Sequence, residues 1–96
     1  MSGYVLTPRA CVDLKAIWNY TADRWGIEQA DRYLRQLKHA METIASDPRK
    51  GHRCDHIRPG YCKYSVASHM LFFRLHNNGI VVIRVLHQRM DFERHL

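Results

Sequence analysis

The chain has 96 residues, 46% of them hydrophobic, which makes one domain with a small core. Lys and Arg number 15 against 9 Asp and Glu, with 7 His besides, so the expected partner is acidic: a nucleic acid or an acidic protein segment, although a solvated basic surface satisfies the same count. No stretch approaches the ~20 apolar residues of a membrane helix, Met1-Ser2-Gly3-Tyr4 carries no signal-peptide pattern, and the odd set Cys11, Cys54 and Cys62 favours free thiols. A cytoplasmic protein with no membrane partner is the expectation.

A short strand, Tyr4-Val5-Leu6, comes first, and periodicity does not place it in a sheet. Thr7 is suited to cap the helix that follows, with Pro8 at its first position, where a missing N–H costs nothing. Cys11, Leu14, Trp18, Thr21 or Ala22, and Trp25 recur at intervals of three and four and mark one stripe, which makes Cys11 a helix-core residue. Gly26 ends that helix. A second, from about Glu28 to Ser46, repeats the pattern with Ala30, Tyr33, Leu34, Leu37, Met41 and Ile44 until Asp47-Pro48 stops it. So short a link implies an antiparallel helical hairpin. The outer face of the second helix carries Arg32, Arg35, Lys38 and His39, interrupted by Glu28 and Glu42, and suits solvent as well as a partner. Arg49-Lys50-Gly51-His52-Arg53 adds further positive charge.

From Tyr61 onward the chain reads as an antiparallel meander with a cationic tail. Met70 to Leu75 and Ile80 to Leu86 flank Asn77-Asn78-Gly79, a hairpin signal. A three-residue loop with Gly79 left-handed pairs Leu75 with Val81, Phe73 with Ile83 and Leu71 with Val85, an apolar face; a two-residue loop placing Phe73 opposite Arg84 mixes the faces. The other face then holds Met70, Phe72, Arg74, Val82, Arg84 and Leu86 and needs a cover. The order gives an α+β domain, β-α-α-β-β-β, with the helical hairpin packed on one face of a mostly antiparallel sheet. Trp18, Trp25, Leu34, Leu37, Met41 and Ile44 are expected against the first face, which leaves the Arg74 and Arg84 face open.

Several side chains bear on chemistry. Arg74 and Arg84 can lay their stems on apolar neighbours and pair with Asp91 or Glu93, or can meet a partner. His87, at a strand end, suits a structural hydrogen bond. His52, Cys54, His56 and Cys62 are zinc-ligand types, but their spacing lacks the paired pattern of a zinc site. No glycine-rich phosphate loop and no nucleophile–base–orienter set appears. No metal, no cofactor and no catalytic residue is therefore expected.

Taken together and in order, the segments Tyr4-Val5-Leu6-Thr7-Pro8-Arg9-Ala10 with Asp13-Leu14, Ile17-Trp18-Asn19-Tyr20-Thr21, and Trp25-Gly26 with Gln29-Ala30 resemble the ParE branch of the RelE/ParE toxins. So do Asp55-His56-Ile57-Arg58-Pro59-Gly60-Tyr61, Ser68-His69 before Phe72-Phe73-Arg74, and Ile83-Arg84-Val85-Leu86-His87-Gln88-Arg89-Met90-Asp91. The resemblance covers nearly the whole chain. It implies a non-catalytic toxin of a type II toxin-antitoxin pair that poisons DNA gyrase. It also implies neutralisation, in a hetero-oligomer, by a ParD-type antitoxin with a ribbon-helix-helix part, which alone touches operator DNA. The expected target-binding residues are Arg84, His87, Gln88, Arg89, Met90 and Phe92. The expected antitoxin contacts are Trp18, Arg32, Arg35, Tyr61, Phe72, Arg74 and Arg84. Met90 and Phe92 compete for a second role, covering the open sheet face. Ala67 stands where the family usually has glycine, so the tightness of that turn does not carry over.

Two other functions fit parts of the chain. A RelE-like ribosome-dependent mRNA endonuclease needs a base, an acid and cations around the scissile phosphate, roles for which Arg74, Arg84, His87, Tyr61 or Lys63 are available. The tail, however, lacks the terminal tyrosine or histidine-tyrosine ending common in that branch. A basic nucleic-acid-binding module would use surface arginines with Tyr61, Tyr64, Phe72 and Phe92, but these aromatics fall at core spacing.

Overall fold

A computed structural model describes residues 3–96. Strand β1 (Tyr4–Leu6) leads into helices α1 (Pro8–Trp25) and α2 (Ile27–Ser46); after a 3-10 turn at Pro48–Lys50 come β2 (His52–Arg53), β3 (Cys62–Val66), β4 (His69–His76), β5 (Gly79–His87) and a single helical turn, α3 (Phe92–His95). The sheet order is β1-β5-β4-β3-β2. β1, unplaced by its sequence, runs parallel to β5 with Tyr4 opposite Ile80 and Leu6 opposite Val82, and the other pairings are antiparallel. β2 and α3 extend the expected order.

Thr7 caps α1 as expected: its Oγ1 accepts the Ala10 N–H at 3.1 Å and donates to the Ile83 carbonyl at 2.7 Å, so one side chain ends β1, starts α1 and pins both to β5. The buried stripe of α1 is Ala10, Ile17 and Thr21, with Leu14 half-buried. Leu14 and Thr21 belong to the expected stripe, but Ala10 and Ile17 take the places of Cys11 and Trp18, so the helix is rolled towards that side. Cys11 is exposed and Trp25 is 63% exposed, so neither belongs to the core. Ala10 has only a methyl group, which lets the helix approach the sheet closely, and Thr21 satisfies its hydroxyl on Ile17 O at 2.7 Å, which lets a polar residue enter the core. Trp18 stays at the rim, its indole N–H donating to Asp31 at 2.9 Å.

Gly26, at φ 92, closes α1 and opens α2 without an intervening loop. Its positive φ makes the reversal possible. In α2 the expected stripe buries Ala30, Leu37, Met41 and Ile44, with Ala40 and Ala45 added, against Leu71, Phe73, Ile80, Val82 and Val85.

The β4–β5 hairpin differs from the expected register. Its loop is the two residues Asn77 and Asn78, with Asn77 at φ 51, and His76 pairs with Gly79. Leu75 therefore faces Ile80 and Phe73 faces Val82; past a bulge at Ile83, Phe72 faces Arg84 and Leu71 faces Val85, the one expected pair that forms. The bulge turns Ile80 and Val82 towards the helices and leaves Leu75 63% exposed. Gly79 is not left-handed. A Cβ there would collide with the backbone of Gly3, whose carbonyl accepts the Ile80 N–H at 3.0 Å, so glycine serves the passage of the chain into β1.

The two-residue turn between β3 and β4 forces Ala67 to φ 50. The turn is tight without glycine, at the cost of backbone strain in the left-handed region. Ala67→Gly is expected to stabilise the fold by about 0.5–1 kcal/mol, relief of strain outweighing the added freedom of the unfolded chain, measured as a higher urea midpoint at unchanged slope.

Candidate partner-binding surfaces

β1 covers β5 only as far as Val82. Beyond it the edge of β5 would be bare, and Asp13 of α1 takes it over. One carboxylate oxygen of Asp13 accepts the Val85 N–H at 2.9 Å and the Arg84 Nε at 2.8 Å; the other accepts Arg84 Nη2 at 2.9 Å. Both side chains are nearly buried, 11% and 12% exposed. The hydrogen-bonded Asp13 carboxylate raises the guanidinium pKa further. Arg84 thus pairs with Asp13, and the expected partners Asp91 and Glu93 do not take part. Both are exposed on the tail, whereas α1 runs alongside β5 and brings Asp13 to it.

The remaining guanidinium nitrogen, Nη1, donates to His95 O at 2.9 Å, and Arg58 donates two bonds to Leu96 O at 3.0 and 2.7 Å. These two arginines hold α3 over the sheet face that the sequence left open. Phe92 meets Phe72 edge to face at 4.9 Å, and Phe92, Leu96, Ile57, Tyr61 and Met70 surround the buried Cys54, Phe72 and Leu86. The open-face expectation is corrected: the chain's own tail and the loop from Cys54 to Tyr61 form the cover. Phe72, Tyr61 and Arg84, expected as antitoxin contacts, lie beneath or within that cover. Phe72 is fully buried because six carbon atoms of ring in water would oppose folding. Arg74 is exposed and makes no ion pair among the described residues.

The loop supporting Arg58 is itself closed by hydrogen bonds. Asp55 accepts two bonds from Arg53, at 2.7 and 3.1 Å, and one from Gly60 N at 2.8 Å, which together hold its carboxyl down at about 2. Cys54 is buried within it while His52 and His56 face solvent, and among the described residues no group of three or more such side chains gathers.

The tail residues divide in two. Gln88 is spent on structure, its amide donating to Ser65 Oγ at 2.6 Å and Ala67 O at 2.7 Å, which braces the strained turn. His87 is half-buried and its Nδ1 accepts the Arg89 N–H at 3.1 Å, the structural bond expected of it. Arg89 and Met90, by contrast, project at the turn between β5 and α3.

Two concavities flank the helical hairpin. A groove of about 340 Å³ lies between α1, α2 and β1, floored by Tyr4, Leu6, Leu14, Leu34 and Met41 with Arg35, Lys38 and Asp31 in its wall. At the other end, a pocket of about 450 Å³ lies between the helices and the strands, with Arg32 and Tyr33 on one side and His69 and His87 on the other. There Tyr33 Oη accepts the Ser68 N–H at 3.2 Å and sits 2.6 Å from His69 Nδ1. The hydroxyl and His69 Nδ1 share one proton, and which of them donates depends on the histidine tautomer. Burial, then the neighbouring His87, pushes the His69 pKa down to about 4. Sequence spacing could not show this cluster, which joins residues 33, 69 and 87 from three elements.

A family model described as the ParE toxin of type II toxin-antitoxin system, parDE, matches residues 4–92. Toxin ParE1 of Mycobacterium tuberculosis is 53% identical over 96 residues, spanning 99% of this chain and 98% of its own. Toxin ParE1 of Caulobacter vibrioides is 42% identical over 96 residues, spanning 100% and 99%. In fold the chain is similar to a solved structure titled Chromosomal ParDE TA system from P. aeruginosa, with a TM-score of 0.78 at 19% identity over 91% of this chain and 96% of that one.

Two outcomes follow from the geometry. Asp13→Ala, which strands Arg84 without its carboxylate, is expected to cost about 3 kcal/mol in urea unfolding at pH 7. For His69 the folded pKa of about 4 lies below the ordinary 6.5, so the unfolded chain takes up a proton that the folded chain refuses. Its contribution is fully present above pH 6.5 and falls away as the pH drops towards 4. Replacing it by Gln is expected to flatten the urea midpoint against pH across that window.

Proposed function

This chain belongs to the ParE toxin family of type II toxin-antitoxin systems, and from that premise we propose that it poisons DNA gyrase in the cytoplasm and is neutralised by a ParD-type antitoxin encoded with it. The observation that carries the reading is the tail. Two arginines clamp its end to the sheet, and the clamp presents Arg89 and Met90 as a short, fixed, cationic and apolar prominence. A preorganised prominence binds a large partner with little ordering cost. Gln88, His87, Phe92 and Arg84 support it from below.

The antitoxin contributes an acidic, partly apolar segment that folds along the helical hairpin. The groove beside Arg35 and Lys38 matches that chemistry, with an apolar floor and a wall of two cations against one carboxylate, Asp31, which already accepts from the Trp18 indole. Trp18 and Arg32 extend the same helical platform, and Arg74 offers a separate exposed cation on β4. Operator DNA is reached through the antitoxin.

A non-catalytic role suits the side chains better than ribonuclease chemistry does. The Arg84 guanidinium is taken up by Asp13 and His95, and His87 Nδ1 is taken up by Arg89, so two of the residues available to an endonuclease are engaged in holding the fold.

Deleting the whole tail would uncover Phe72 and Leu86 and unfold the chain, so the test uses Arg89→Ala and Met90→Ala. With gyrase and supercoiled plasmid, the parent chain is expected to accumulate linear plasmid and each variant to need at least about tenfold more protein, while urea stability stays within about 0.5 kcal/mol. Cutting of mRNA on translating ribosomes by the parent, without linear plasmid, would refute the assignment.

A further inference from the structure

The pocket between the helical hairpin and the β4–β5 side has walls of two kinds. Tyr20 and Trp25, from the end of α1, form an aromatic rim; their rings meet at 6.3 Å, and both are more than half exposed. Arg24 lies over both rings, at 5.1 Å from the Tyr20 centroid and 6.0 Å from that of Trp25, bringing a guanidinium to the rim. Nothing in the core requires two large aromatic side chains to stand in water at this spot.

The opposite wall is a set of hydrogen-bond donors. His87 Nδ1 accepts the Arg89 N–H, so that ring carries a proton on Nε2, and neither His87 Nε2 nor His69 Nε2 has a protein partner among the described residues. Arg32 gives Nε and Nη2 to Gln29 and keeps Nη1 without a protein partner among the described residues. No carboxylate lines the pocket. Unspent donors without an acid among them call for an acceptor-rich anion, and the aromatic rim calls for a flat ring.

We infer that this pocket binds a nucleoside monophosphate, its base lying on Tyr20 and Trp25 and its phosphate oxygens accepting from Arg32, His69 and His87. The volume of about 450 Å³ falls in the range of small-molecule sites and exceeds what one carboxylate side chain fills. An acidic peptide side chain would satisfy the donors and leave the aromatic rim uncovered. The nucleotide can arrive free or as the phosphorylated end of a single DNA strand, since both present the same base and phosphate.

The measurement is calorimetric titration of the whole chain, in the absence of any partner protein, so it does not depend on gyrase binding. The probes are dAMP, inorganic phosphate, a 5′-phosphorylated hexadeoxynucleotide and an acidic hexapeptide. Saturable binding of dAMP is expected, with phosphate alone weaker because it forgoes stacking, and with Arg32→Ala and Trp25→Ala each weakening dAMP by at least about tenfold. Both residues are exposed, so the variants stay folded, which their unchanged urea midpoints check; Arg49→Ala, on the 3-10 turn, should bind as the parent does. Tighter binding of the phosphorylated strand than of dAMP identifies a strand end as the source, and equal binding identifies the free nucleotide. Absence of saturable dAMP binding at millimolar concentration, dAMP binding indifferent to Arg32→Ala or to Trp25→Ala, or binding of the acidic peptide alone would each overturn the inference.

Discussion

The Asp13 carboxylate at the edge of β5 joins the parts of this molecule. A parallel strand of three residues cannot cover an edge nine residues long, and an uncovered edge in a small basic protein invites wrong pairing and leaves buried N–H groups without partners. Asp13 answers both needs by accepting the Val85 N–H while holding Arg84. Since it sits on the second turn of α1, the same contact fixes how that helix lies on the sheet. The charge pair is nearly buried, a position that costs desolvation and is tolerated because the carboxylate is satisfied by three donors from two neighbouring residues.

The rest of the architecture follows from where that guanidinium points. Having spent two nitrogens on Asp13, Arg84 offers the third to His95, and with Arg58 it ties down the end of the chain. The face that carries Phe72 and Leu86 then becomes a second small core, capped by Phe92 and Leu96. In a domain of this size two cores on the two faces of one sheet bury more apolar area than one, so the tail belongs to the fold as well as to its surface. The position of the exposed turn at Arg89 and Met90 therefore rests on a stability contact made from α1.

The opposite end of the helical hairpin is built on another logic. There Tyr33, His69 and His87 form a polar cluster joined by its own hydrogen bonds and ring contacts, next to aromatic residues that the core does not use. The molecule keeps its two concavities apart, with an apolar groove beside β1 and a polar pocket beside β4 and β5.

What the sequence determined by itself was everything set by neighbours along the chain. The Thr7-Pro8 start, the Gly26 reversal, the Asp47-Pro48 stop, the stripe of α2 and the antiparallel meander are local, since caps, φ restrictions and periodicity act over a few residues. Segment order and spacing also carried the family resemblance. Tertiary structure decided the roll of α1, because whether Ala10 or Cys11 faces the sheet depends on how closely the helix must approach β5. It decided the hairpin register, because the lead-in to β1 claims the space beside Gly79 and the bulge at Ile83 then restores the pairing of Leu71 with Val85. And it decided the partner of Arg84, 71 residues away, since two charges so distant in sequence share no pattern and meet only once helix and sheet have packed.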